Sequence, residues 1–109
     1  MKETLKFAKP SDEQAQELKK KHGELHEISN DDYYLLFKKP ERDNLSRFLK
    51  ESMKDTYRGL RNLIMDTLVF PTREELDKEF EVQPGLVIGI GTELQKLAGT
   101  SVDFFSKKL

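Results

Sequence analysis

Four prolines, at positions 10, 40, 71 and 84, divide this chain into short segments. Each fixes φ and lacks an N–H, so none fits inside a helix or a central strand. Gly23 and Gly99 add stops of a second kind, because glycine reaches the left-handed conformation that ends helices. The elements must therefore be several and short, with turns at known places.

Between these marks the segments differ in character. Residues 1–10 hold one apolar island, Leu5 to Phe7, and read as an extended arm or edge strand. Ser11-Asp12-Glu13-Gln14 matches a capping box and predicts a polar helix to about Lys21, with Ala15 and Leu18 as its apolar side. Ser29-Asn30-Asp31-Asp32 is turn chemistry, and Tyr33 to Lys38 favours a strand, so residues 24–38 form a hairpin. Tyr33, Leu35 and Phe37 share one face, which should cover the core.

Beyond Pro40, whose φ suits a first helical turn, the pattern becomes helical. Leu45, Phe48, Leu49 and Met53 recur at helical spacing, followed by Tyr57, Leu60, Ile64 and Leu68. Either Asp55 caps a break between two helices or one bent helix spans both. Gly59 weakens the continuous reading by about 1 kcal/mol. Pro71 ends the stretch. Thr72-Arg73-Glu74-Glu75 is a second capping box, and Leu76 and Phe80 anchor the short helix behind it. Pro84 opens the last helix, which Gly99 closes. The fold class is α+β and mostly helical: an N-terminal helix and small β-hairpin followed by three to four packed helices. The arm occupies 1–10, a single domain 11–99, and a C-terminal tail 100–109.

Composition narrows the function. Charged residues make up 36% of the 109, as do hydrophobic ones, against roughly 25% charged in an average domain. The core is small and the surface heavily charged. Cysteine is absent, which removes disulfides, a thiol nucleophile and Cys-based zinc sites. A net charge of −1 disfavours binding along a phosphate backbone, and no basic recognition helix is present. The longest apolar run, Tyr33 to Phe37, falls far short of the ~20 residues of a membrane span. Met1 to Lys6 has no apolar stretch of a secretory signal. A cytoplasmic location is expected.

No motif points to catalysis or a cofactor. Gly89-Ile90-Gly91-Thr92 lies inside the helix opened by Pro84, whereas a phosphate loop precedes its helix. Gly85, Gly89 and Gly91 are expected instead where another helix, in this chain or a second subunit, approaches closely. His22 and His26 have metal-ligand spacing only on a continuous helix, which Gly23 interrupts. No nucleophile, base and orienting group cluster. The clusters Lys19-Lys20-Lys21 and Lys38-Lys39 with Arg42 sit among acids and read as a solvated charged face. The expectation is a non-enzyme without cofactor or metal.

From Phe37 onward the chain resembles a known family. Phe37-Lys38-Lys39-Pro40-Glu41-Arg42-Asp43-Asn44-Leu45, then Asn62 to Leu68, Val69-Phe70-Pro71 and Glu74-Glu75-Leu76 carry the likeness. Pro84-Gly85-Leu86-Val87, Glu93-Leu94 and Leu97-Ala98-Gly99 complete it. This order is similar to that of small tail assembly chaperones of long-tailed bacteriophages. The resemblance implies a protein of the host cytoplasm that keeps the tape-measure protein soluble and helps tail-tube subunits assemble, with oligomerisation through helices. The alternative is a generic protein-interaction or regulatory module of a phage or mobile element. The binding surface expected from the residues is Leu86, Ile90 and Leu94, one stripe of the last helix, joined by Phe104 and Phe105 of the tail. Val87 and Leu97 should belong to the core.

Overall fold

The computed structural model describes residues 6–100 and 102–109. Helix α1 (Asp12–His22) precedes a hairpin of β1 (His26–Ser29) and β2 (Tyr34–Phe37). Helices α2 (Arg42–Ser52) and α3 (Thr56–Thr67), strand β3 (Leu68–Phe70), and helices α4 (Arg73–Val82) and α5 (Leu86–Leu97) follow. The fold is α+β and mostly helical, with an antiparallel sheet in the order β1-β2-β3.

Local chemistry explains most element ends. Ser11 Oγ accepts from Gln14 N while Ser11 N donates to Gln14 Oε1. Thr72 and Glu75 make the same reciprocal exchange at the start of α4. Each satisfies two backbone donors that a helix start would leave open. Gly23 ends α1 at a φ of 82°, a region that strains any residue with a Cβ. Asp55 does break the central stretch: its carboxylate caps α3 by accepting from Arg58 N. Pro40 falls outside helix α2, before the Glu41 cap, and Gly85 caps α5 one residue after Pro84.

The hairpin pairs Ile28 with Leu35 and Glu27 with Leu36. Tyr33, Leu35 and Phe37 are buried in the core, as their shared face requires. Helix α1 lies over the opposite face, where Ala15 and Leu36 line one shallow depression and Leu18 and Phe70 another. One expectation is corrected. Leu68 does not continue the helical stripe: the chain turns extended there and pairs β3 with β2 through Phe37 and Leu68, so the hairpin becomes a three-stranded sheet. The described part of the arm is tied to the hairpin. Lys6 N donates to Asp32 O at 2.9 Å, and Phe7 packs on Tyr33 with ring centroids 6.2 Å apart. Residues 1–5 of that arm lie outside the described residues.

Helix α3 is the centre of the molecule. Leu60, Leu63, Ile64, Met65 and Thr67 are all buried. Thr67 is a polar residue in that core, and its hydroxyl donates to Leu63 O at 2.9 Å, so it carries no unpaired group. Gly59 lets α2 approach closely: an added Cβ would lie 2.9 Å from Ser52 N and 3.1 Å from Ser52 Cα. Ion pairs orient the neighbours, with Arg47 on Asp66 at 2.7 Å and Arg61 on Asp77 at 2.8 Å. Such exposed pairs are worth only ~0–1 kcal/mol each, so apolar burial around α3 stabilises the fold more than they do.

Candidate protein-binding groove and tail

Helix α5 presents two different stripes. Val87, Ile90, Gly91 and Leu94 recur at the spacing of one helix face and are buried. Gly91 is the contact point with α3, because a Cβ there would meet Leu60 Cδ2 at 2.7 Å. The adjacent stripe, Leu86, Gly89 and Glu93, together with Ile90, lines an open groove of about 380 Å³. The hairpin supplies the other wall through Ile28, Tyr33 and Leu35. Among the described residues, an added Cβ at Gly85 or Gly89 would meet nothing within 4 Å, so the helical wall of the groove is bare there.

Its polar groups are mostly committed to holding the walls. Asn30 Oδ1 accepts from Asp32 N and Tyr33 N at 2.8 Å each, which fixes the hairpin turn as an Asx motif. Tyr33 Oη donates to Glu79 Oε1 at 2.7 Å, tying the hairpin to α4. Burial, with the Glu79 carboxylate second, pushes the Tyr33 phenol up to about 12, so it is a neutral donor at physiological pH. Glu93 is the charged side chain on the lining and lies 3.1 Å from Lys96. The lining thus mixes apolar side chains with Ser29, Asn30, Gln83 and the ion-paired Glu93, suited to recognition by shape and hydrogen bonding. Among the described residues, no three His, Asp or Glu side chains converge on a point where a metal could sit. No helix among them is long and apolar enough to cross a membrane.

The structure separates the residues expected to form one surface. Leu94 is 0% exposed and Ile90 is 8% exposed, so both belong to the chain's own core. Of the expected stripe, Leu86 and Ile90 line the groove, whereas Leu94 lies wholly inside the core. Leu86 is half-buried at the groove, and Ile88, which the helical spacing does not single out, is exposed. Val87 is in the core as expected, and Leu97 is partly buried against it. Phe104 and Phe105 stand 89% and 95% exposed on a tail with no regular structure from Val102 on. The close helix approach expected at three glycines occurs at Gly91 and not at Gly85 or Gly89. The i, i+4 spacing of Gly85 and Gly89 is the sequence signal for the groove, but a bare helix face looks the same in sequence whether it is packed or open.

A family model described as a domain of unknown function (DUF6848) matches residues 18–107. The chain belongs to this family. The match takes in the hairpin, the groove and both tail phenylalanines, so the tail is part of the DUF6848 domain. Comparison with curated proteins gave no match. Among solved structures, the DUF6848 fold is similar to that of an uncharacterised protein, rbstp2171, from Bacillus stearothermophilus. The TM-score is 0.77 at 29% identity, over 85% of this chain and 99% of the other.

Proposed function

We propose that this DUF6848 domain is a non-catalytic protein-binding module that acts as a phage tail assembly chaperone in the host cytoplasm. The observation that carries the binding role is the exposure of the adjacent Phe104 and Phe105 on the tail. Two adjacent aromatics in water mark a surface that another molecule covers. The choice of client rests on the sequence resemblance. The client is then the long, helical, aggregation-prone tape-measure protein, with the tail-tube protein as the second partner. Helix capture of this kind works by anchors at i, i+3 and i+4 spacing on the client.

Co-expression tests the reading. The gene is paired with that of a tape-measure protein from the same genome, and soluble tape-measure yield is measured with and without the chain. A severalfold rise in yield is expected, and it should be lost in Phe104→Ala/Phe105→Ala. No change in yield on adding the wild-type chain removes the chaperone reading.

A further inference from the structure

The groove and the tail fit one another. The groove is largely apolar, open and about 380 Å³ in volume, within the ~300–1,000 Å³ of side-chain and ligand pockets. Its charged lining residue, Glu93, is paired with Lys96 at 3.1 Å, and the acidic rim is Asp31 and Asp32, exposed on the hairpin turn between the lining residues Asn30 and Tyr33. The tail carries the complementary set: Phe104 and Phe105 exposed, followed by Lys107 and Lys108. The tail leaves the far end of α5, past Gly99, while the groove flanks its N-terminal half. The rings find no seat among the described residues.

We propose that the groove takes Phe104 and Phe105 from the tail of a second copy of this chain, with Lys107 and Lys108 against the acidic rim. The contact is head-to-tail: each copy offers one groove and one tail, so the assembly grows into open chains or closes as a ring. It involves no client protein, and its success or failure is read separately from that of the chaperone role.

The test is sedimentation velocity on the full chain from micromolar to several hundred micromolar. The weight-average mass should climb above the 12.7 kDa monomer as concentration rises. Phe104→Ala/Phe105→Ala removes the tail anchors, and Gly89→Lys fills the groove at a helical site with free space around it. Each variant alone should remain monomeric with an unchanged helical circular dichroism spectrum. Mixed, the two share one intact tail and one intact groove, and should form a 1:1 heterodimer and nothing larger. A labelled peptide of residues 100–109 gives a second readout. It should bind the double-alanine variant at least tenfold more tightly than Gly89→Lys, by fluorescence anisotropy. A monomeric wild type at every concentration, as folding back of the tail onto its own groove would give, overturns the proposal. So does a mixture that stays monomeric, or equal peptide binding by both variants.

Discussion

Tyr33 Oη and Glu79 Oε1 lie 2.7 Å apart although 46 positions separate them in sequence. The bond joins the end of the hairpin turn to α4 and fixes one wall of the groove. The phenol is neutral in the folded chain up to about pH 12, against about 10 for a free tyrosine. Between those values the folded state holds a proton that the unfolded state releases, so stability falls as pH rises. The contribution is complete below pH 10 and gone above 12. Tyr34 is also raised, by burial and then by Glu27, so the comparison must be with a variant. Tyr33→Phe is expected to lower stability at pH 7 by about 1–2 kcal/mol and to flatten part of the alkaline decline. Urea unfolding across pH 8–12 measures both.

Two glycines in helices should respond to alanine with opposite signs. At Gly59 the new methyl would press on the Ser52 backbone. Overpacking of that kind costs ~1–3 kcal/mol, and better helix propensity returns at most ~1 kcal/mol. Gly59→Ala should therefore be less stable. At Gly89 nothing lies within 4 Å, so Gly89→Ala should gain about 0.5–1 kcal/mol. Thermal melts of the two variants beside wild type decide the pair.

Leu94 and Phe105 distinguish core from surface. Leu94→Ala opens a cavity among the helices and should cost about 2–5 kcal/mol. Phe105→Ala touches nothing in the monomer and should stay within about 0.5 kcal/mol of wild type. Denaturation midpoints at low protein concentration, where self-association is absent, give the comparison.

The sequence announces what local chemistry controls. Ser11, Thr72 and Asp55 cap the helices that their spacing predicts, because a cap needs only its own next three residues. The buried face of Tyr33, Leu35 and Phe37 follows from strand alternation. Strand β3 is hidden because its first residue, Leu68, continues a helical apolar spacing, and only the pairing with β2 shows that the chain is extended there. The tail phenylalanines are recognisable as unable to pack together inside a helix. The groove is not, since it depends on which side of α5 meets α3, a contact between Gly91 and Leu60 that no local spacing reveals. Leu94 falls in the core instead of on the surface for the same reason, and Ile90 belongs to the core while also lining the groove.

The close approach of α2 and α3 at Gly59 also bears on the order in which the chain organises. These helices are joined by Met53-Lys54-Asp55 alone, so their contact needs little loop closure. Pairing Phe37 with Leu68 requires the whole α2–α3 unit to be looped out first. Loop-closure entropy rises with the length enclosed, and local contacts form fastest. The α2–α3 pair is thus the natural folding nucleus, and the two strands are brought into register by a helical clasp that has already shut.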